Sequence, residues 1–339
     1  MRRGKLRIVS AGAGATIQDA GRFGYLRYGI VASGPMDWVA YEVVNRALEN
    51  PERAACIEVP PHGIEVACED APLRVAFAGG GFSWQHGTAR IGTSGVLRLR
   101  PGERLSAKTG TWGTWAYLAV AGGIDVKPVL GSRSTYARFG LEGIEGRTLR
   151  AGDVLETFAA DNGDDGAGTI ACALVERPHA PIRVMLGPQD DYLTADSIDA
   201  FFSQAYAVST KFDRMGYWID GPKLQHAHGF DIVSDGIALG AIQVPGTGQP
   251  LVLMADHQST GGYPKLGTVV RADIGALAQH RPGEQLHFAR CDAETARRAL
   301  LEIYVTLETE IFIVPRGQIR EEDLHASNLI SGVVDGSSW

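Results

Sequence analysis

Cysteine is scarce in this chain: the 339 residues include four, at Cys56, Cys68, Cys172 and Cys291. None of them lies in a Cys-x-x-Cys pair, and their spacing fits neither a zinc site nor a dense disulfide framework. We therefore expect reduced cysteines and a cytoplasmic protein.

Long apolar runs and long basic runs are also missing. No window approaches 18 uncharged apolar residues, which excludes a typical transmembrane helix. The basic N-terminal stretch lacks the apolar core of a signal peptide. The formal net charge is −7, so nucleic acids and anionic membranes are not expected partners.

Several motifs that carry chemistry are absent. The sequence contains no G-x-x-x-x-G-K-[ST] loop, no G-x-S-x-G elbow and no H-E-x-x-H pair. None of the six lysines follows a methionine, as a biotin-acceptor lysine normally would. His226-Ala227-His228 could present two imidazoles on one strand face, but no third ligand is evident, so a solvated loop is the better interpretation. We expect no metal and no covalently bound cofactor.

Glycine and proline are plentiful, at 43 and 16 residues, and they interrupt short apolar runs throughout the chain. This pattern predicts a mostly β protein of barrels or sandwiches. Helix signals are few. Met36–Leu48 carries an apolar stripe with Asp37 in its first turn, Thr194 could cap a second helix, and 292–307 is a third candidate.

The polar stretch 160–168 has the composition of a linker. On each side of it the same turn sequence, Arg-Pro-Gly-Glu, precedes a strand-like run, at 100–103 and at 281–284. Asp213–Tyr217 similarly echoes Asp19–Tyr25. Pro-Gly is a common turn dipeptide, so chance turn chemistry is the alternative. The occurrence of two separate echoes in the two halves favours an internal duplication. We predict a first β domain at 1–158, a linker at 159–169, a second β domain at 170–310 and a C-terminal extension at 311–339.

The segment from Asp256 to Lys265 carries the most varied chemistry in the chain. It places a carboxylate, an imidazole, an amide, hydroxyls, a phenol and an ammonium around two glycines, just after an apolar strand. A loop at a strand end is a common place for functional residues. The alternative is a plain structural turn. Gln243, just upstream, adds an amide that can pair with an amide substrate.

Two further segments are candidates. Ser33 and Asp37 precede the best helix, where backbone N–H groups could receive an anion; simple helix capping is the alternative. Asp213 and Arg214 pair a carboxylate with a guanidinium, which can hold a carbonyl or carboxylate ligand but is more often an ion pair of the scaffold.

Taken in order, a series of segments resembles one family, the biotin-dependent carboxyltransferase or allophanate hydrolase subunit 2 family, which includes KipA-type proteins and the C subunits of bacterial 5-oxoprolinases. The matching segments are Thr16–Tyr25, Ser33–Asp37, Tyr117–Ile124, Leu130–Tyr136, Asp213–Tyr217, Gly240–Pro245 and Thr260–Lys265. The resemblance implies two tandem cyclophilin-like β-barrel domains related by a pseudo-two-fold duplication. The chain departs from the family at 79–81, where three glycines stand in place of a common Gly-Ala-Asp, so the pocket of the first half is expected to differ or to be inactive.

The family's substrates are planar N–C=O groups, which must be held flat while charge builds on oxygen. The resemblance therefore suggests roles for the candidate residues. Lys265 would stabilise the oxyanion, Asp256 or His257 would accept a proton, and Asp213 and Arg214 would orient the site. The proposed substrate contacts are Gln243, Gln258, Thr260 and Tyr263 in the second half, and Ser33, Asp37 and Arg133 in the first.

Three functions remain open. The first is a subunit of an ATP-dependent 5-oxoprolinase that opens 5-oxo-L-proline to L-glutamate, inactive alone, with a KipI-like (allophanate hydrolase subunit 1 type) subunit and a LamB/YcsF-type subunit as partners. ATP would then act in the complex. The second is the carboxyltransferase component of a biotin-dependent urea carboxylase, with biotin supplied by a partner carrier. The third is a regulatory module that antagonises a KipI-like kinase inhibitor. The sequence shows no obvious ATP-handling domain and no obvious biotin-carrier domain, which favours the 5-oxoprolinase subunit.

Overall fold

The computed structural model describes residues 3–141, 143–158 and 166–315. Most of the predicted linker, residues 159–165, and most of the predicted C-terminal extension, residues 316–339, lie outside the described residues. No helix within the described part of the chain is long and apolar enough to cross a membrane.

Short strands dominate the part of the chain before residue 158. They are β1 (Lys5–Ala11), β2 (Thr16–Gln18), β3 (Cys56–Val59), β4 (Ile64–Cys68), β5 (Leu73–Ala78), β6 (Ser83–His86), β7 (Ala89–Gly92), β8 (Gly95–Leu99), β9 (Arg104–Lys108), β10 (Ala116–Val120) and β11 (Val154–Glu156).

The part after residue 166 has the same character. Its strands are β12 (Gly168–Ala171), β13 (Ile182–Leu186), β14 (Tyr206–Phe212), β15 (Gly216–Asp220), β16 (Asp235–Gly236), β17 (Ala241–Gln243), β18 (Leu251–Leu253), β19 (Thr260–Gly261), β20 (Lys265–Val269), β21 (Gln285–Leu286), β22 (Phe288–Arg290) and β23 (Phe312–Pro315). The α-helices of the described residues are α1 (Trp38–Arg46), α2 (Ala195–Ser203), α3 (Ile274–Ala278) and α4 (Ala293–Thr309).

The strands of the first half form two sheets that enclose one core. Their orders are β11-β1-β4-β9-β6-β7 and β2-β3-β10-β5-β8, and β12 and β23 extend the second sheet beyond β8. The sheet that contains β10 packs against a different hydrophobic core on each of its faces. Leu118 and Val120 point into the core between the sheets, whereas Tyr117 and Ala119 join a second core that contains α1. Because side chains alternate along a strand, each buried residue of β10 packs on one face or the other.

The second half is built on a sheet in the order β21-β14-β15-β18-β17-β20-β13-β22. Its two edge strands, β21 and β22, are separated in sequence by His287 alone, so the sheet bends round until its edges nearly meet. The short ladder between β16 and β19 lies outside this barrel sheet. The predicted mostly β fold, built from tandem barrel-like halves, is confirmed.

Helix α1 lies between the halves. It packs on β5 and β10 of the first half and on α3 and α4 of the second. The sequence predicted this helix and the two begun by Thr194 and Asp292; each of these residues caps its helix by accepting a backbone N–H, from Ser197 and Thr295 respectively. The short helix α3 was not predicted, because five residues give too little periodicity to recognise.

Candidate functional site between and within the halves

The segment before α1 holds the helix against the second half. Asp37 is the N-cap: its Oδ1 accepts hydrogen bonds from the backbone N–H groups of Val39 and Ala40, each at 3.1 Å. Its Oδ2 accepts one from Nε2 of Gln279, at 2.8 Å, across the junction of the halves. Burial raises the pKa of Asp37, although these donors oppose the shift. Asp37 therefore both caps α1 and joins it to the turn after α3.

Ser33 does not cap the helix. Its backbone adopts the left-handed conformation, with φ of 55°, and its Oγ donates a hydrogen bond to Asp256 of the second half. The helix start and the loop after β18 are thus linked directly, although 223 residues separate the two partners in sequence.

Arg214 is the centre of a polar network between the halves. Its Nε and Nη2 donate to the two carboxylate oxygens of Asp256, at 2.8 and 3.0 Å. Nη1 donates to Glu58, and Nη2 also donates to the carbonyl oxygen of Gly34, at 2.8 Å. A guanidinium suits this position because its planar fork of donors can bind two carboxylates at once.

Glu58 completes the network from the first half. It is fully buried on β3, and its Oε2 accepts hydrogen bonds from the backbone N–H of Met36, at 2.8 Å, and from the Tyr117 hydroxyl, at 2.7 Å. Burial raises the pKa of Glu58, and the charge of Arg214 opposes that shift. Burial alone would lower the pKa of Arg214, but Asp256 and Glu58 together raise it above its ordinary value. Arg214 is therefore positively charged at any physiological pH.

A cavity of about 400 Å³ opens beside this network. Its lining comes from both halves, and its polar members include His62, Arg138, Asp213, Arg214 and Asp256. The exposed side chain of Asp213 accepts the backbone N–H groups of Met215 and Gly216, at 2.7 and 3.2 Å, and so closes the turn that carries Arg214. The cleft combines a fixed cation with apolar walls, an arrangement suited to a small polar ligand.

Gly79 and Gly80 of the triple glycine at 79–81 border a second cavity, of about 210 Å³, which Asp37 and Gln279 also line. All three glycines have left-handed backbones, with φ of 102°, 59° and 55°. A Cβ on Gly80 would lie 2.7 Å from the Trp115 carbonyl oxygen, and one on Gly81 would lie 2.3 Å from the Trp112 ring. A side chain at Gly80 or Gly81 therefore has little room here, because the backbone is packed against these two tryptophans.

The remaining second-half candidates form a separate group at one end of the barrel. Gln243 on β17 lies directly opposite Lys265 on β20, so the two side chains point to the same face of the sheet. Nε2 of Gln258 donates to Oε1 of Gln243, at 3.4 Å. The Lys265 side chain is 8% exposed, and its ammonium forms an ion pair with Asp235, at 2.8 Å. The structure thus brings Gln243, Gln258 and Lys265 together; their role as a substrate pocket stays a prediction.

Of the other predicted site residues, Thr260 and Tyr263 are exposed, whereas His257 is buried. Thr260 is exposed on the β16–β19 ladder, and Tyr263 is 39% exposed. Nδ1 of His257 contacts the carbonyl oxygen of the adjacent Gln258, at 2.6 Å, and burial lowers the pKa of His257, which favours the neutral ring.

Arg133 belongs to another cluster, within the first half. Its Nε donates to the Val126 carbonyl oxygen, at 2.9 Å, and its backbone N–H donates to the Asp19 carboxylate, at 2.6 Å. These hydrogen bonds tie Arg133 to the loops of the first half rather than to Ser33 or Asp37, with which it was grouped from the sequence.

Sequence reasoning missed Glu58, Gln279 and Asp235. Glu58 did carry a signal, since it is a carboxylate inside the otherwise apolar strand run 54–60, and such a residue is buried only with partners. Gln279 and Asp235 carried none, because their partners Asp37 and Lys265 are 242 and 30 residues away. The described residues contain no group of three or more His, Cys, Asp or Glu that could hold a metal ion.

Residues 28–290 match the family model described as "Carboxyltransferase domain, subdomain A and B". The chain belongs to this carboxyltransferase-domain family. The family resemblance noted from the sequence is therefore confirmed.

Relatives of known name fall into two groups. The 5-oxoprolinase C subunit of Escherichia coli is 35% identical over 294 residues, which cover 87% of this chain and 94% of the relative. The protein of the same name from Haemophilus influenzae is 34% identical and is covered to 96%. The urea amidolyase of Saccharomyces cerevisiae is 30% identical, but the match covers 17% of its length.

Among solved structures, the Kluyveromyces lactis urea amidolyase superposes with a TM-score of 0.82 at 28% identity. The match covers 90% of this chain and 20% of that protein. The chain thus spans almost the full length of the 5-oxoprolinase subunits it matches, and about a fifth of the urea amidolyase.

Proposed function

We propose that this chain is a subunit of an ATP-dependent 5-oxoprolinase, which hydrolyses 5-oxo-L-proline to L-glutamate together with partner subunits. The observation that carries the proposal is the match in length as well as in sequence to two 5-oxoprolinase C subunits, covered to 94% and 96%. The urea-processing relatives are several times longer than this chain, which aligns with only a part of each.

The chemistry of the second-half group supports the proposal. Hydrolysis of a lactam places negative charge on its carbonyl oxygen, and 5-oxo-L-proline also carries a carboxylate; a buried ammonium such as that of Lys265 binds negative charge of a substrate strongly. The side-chain amide of Gln258 can pair with the N–H and C=O edges of a lactam. Arg214 binds Asp256 and would thereby hold in place the loop that carries Gln258.

We also propose that partner subunits supply part of the activity. A KipI-like subunit and a LamB/YcsF-type subunit would complete a cytoplasmic complex, and ATP would be used within that complex. The isolated chain would then hydrolyse little or no 5-oxo-L-proline, because it would lack the groups that activate the lactam with ATP.

The second candidate is the carboxyltransferase component of a biotin-dependent urea carboxylase. It is favoured by the superposition on the Kluyveromyces lactis enzyme, whose TM-score is 0.82. In that case a partner would have to supply both the carboxylated biotin and its carrier.

Reconstitution separates the two functions. The chain would be purified with the products of its neighbouring genes, and glutamate release from 5-oxo-L-proline would be measured with and without ATP. ATP-dependent release that requires this chain supports the proposal. Transfer of carboxyl groups from biotin to urea, without glutamate release, would establish the alternative instead.

A further inference from the structure

The Gln243–Lys265 pair has more hydrogen-bond donors than acceptors. Nε2 of Gln243 is buried and has no hydrogen-bond partner among the described residues, and Gln243 as a whole is 1% exposed. The Lys265 ammonium has three N–H groups, and its partner in the described part of the chain is a single carboxylate, Asp235. Buried N–H groups normally have hydrogen-bond acceptors. N–H groups of Gln243 and Lys265 that lack acceptors therefore indicate a binding position for a group with several acceptor oxygens.

The two donors lie side by side. Gln243 and Lys265 are direct partners in the antiparallel ladder between β17 and β20, and opposed side chains in such a ladder start about 5 Å apart on the same face. An ammonium and an amide N–H₂ at this separation can bind the two oxygens of one carboxylate.

The β16–β19 ladder covers both donors. Asp235 and Gly261 are partners in this ladder. Asp235 reaches the Lys265 ammonium, whereas Gly261 lies against Gln243: a Cβ on Gly261 would be 2.4 Å from Nε2. The Asp235 side chain remains 53% exposed even though its partner is buried. The hydrogen bond from Lys265 lowers the pKa of Asp235, so this carboxyl group is ionised.

The segment that carries the β16 side of this cover has few buried side chains. Residues 227–236 are exposed apart from the half-buried Ile232. Ile237 anchors the ladder in a small cluster with Ala241 and Leu253. Segments with few buried apolar contacts open at low free-energy cost, so this ladder can move away from the donors without disturbing the barrel sheet.

We propose that Gln243 and Lys265 form a binding subsite for the carboxylate of a small ligand, and that Asp235 is an internal carboxylate that holds the same place and is displaced when the ligand binds. The ligand's identity rests on the proposed function: 5-oxo-L-proline carries one carboxylate besides its lactam. Asp235 thereby becomes a specificity residue, because a neutral ligand would not compete with it for the ammonium.

Binding to the purified full-length chain tests this subsite without requiring catalysis. The ligands are 5-oxo-L-proline and 2-pyrrolidinone, which has the same lactam without the carboxylate, and affinities are measured by calorimetry or ligand-observed NMR. The variants are Asp235→Asn, which removes the competing charge from an exposed side chain, and Lys265→Met, which keeps an apolar stem of similar length. Asp231→Asn, an exposed aspartate of the same segment, is the matched control.

We expect the wild-type chain to bind 5-oxo-L-proline in preference to 2-pyrrolidinone. Asp235→Asn should tighten binding by about threefold to fivefold, the value of an exposed ion pair. Lys265→Met should abolish the preference for the carboxylate, and Asp231→Asn should bind as the wild type does.

Three results would overturn the subsite: equal binding of the two ligands, weaker binding by Asp235→Asn than by the control, or no binding of either ligand by wild type and Asp235→Asn at millimolar concentration. The proposed function fails separately, if a reconstituted complex releases no glutamate. Carboxylate binding that depends on Lys265 would then still establish the subsite.

Discussion

Replacing Arg214 by methionine should destabilise the junction of the halves strongly. The change leaves two carboxylates, those of Glu58 and Asp256, close together without their shared cation; their side chains are 0% and 11% exposed. Removing one partner of a buried ion pair typically costs about 3–5 kcal/mol. For a chain of this size, that corresponds to a fall in melting temperature of roughly 4–7 °C.

The loss should also depend on pH. Without the guanidinium, the pKa of Glu58, already raised by burial, rises further above its unfolded value. A carboxyl whose folded pKa is raised binds a proton more tightly in the folded state, so stability falls as pH increases from the unfolded to the folded pKa. The variant should therefore be less unstable at pH 5 than at pH 8.

Urea denaturation and thermal melts at both pH values measure this prediction. Arg138→Met is the matched control, because Arg138 is an exposed arginine of the same cavity; it should lose less than about 0.5 kcal/mol. The double variant Arg214→Met/Glu58→Gln should recover at least about 1 kcal/mol of the loss, because it removes one of the uncompensated charges. A loss below about 1 kcal/mol for Arg214→Met, with no dependence on pH, would refute this account of the network.

Two further predictions concern the scaffold. Gly80→Ala should cost about 2–4 kcal/mol in urea denaturation, because it adds a clash with the Trp115 carbonyl oxygen to the backbone strain. Gly87→Ala, which has the same φ of 59° but open space around it, should lose only about 1 kcal/mol; equal losses would contradict the role of packing. Asp153→Asn should lose about 1 kcal/mol at pH 6 and much less at pH 3. The hydrogen bonds from Arg147 lower the pKa of Asp153, so their contribution exists above the unfolded pKa and is lost on acidification; a loss that is the same at both pH values would argue against this.

The local features of the fold could be predicted from the sequence because they depend on neighbouring residues. The two Arg-Pro-Gly-Glu turns illustrate this. In each, the Glu side chain accepts the backbone N–H of the Arg, and the Glu N–H donates to the Arg carbonyl oxygen. The turn 150–153 forms the same pair of bonds inside the first half, with Asp in place of Glu. The geometry therefore follows from turn chemistry, and these echoes alone do not distinguish duplication from recurrence of a favourable turn.

The candidate site could be predicted only in part. Gln243, Gln258 and Lys265 were found because they lie in one short stretch of chain around a glycine-rich turn. The network at the junction joins residues from opposite ends of the sequence: Arg214 and Glu58 are 156 positions apart. No local pattern encodes such a contact, because it arises only when the two halves pack on each other. The predicted boundaries at 158 and 170 stay a prediction.

Glutamate release by the reconstituted complex carrying Lys265→Met tests the central claim most directly. We predict that turnover falls by about 10²-fold or more, because a substrate whose carboxylate is no longer held is misplaced at the reacting centre, while the variant chain keeps its fold and assembles with its partners. Lys223→Met, which alters an exposed lysine of the same half, should retain wild-type turnover. Near wild-type release of glutamate by the Lys265→Met complex would contradict the claim that the second-half group takes part in the reaction.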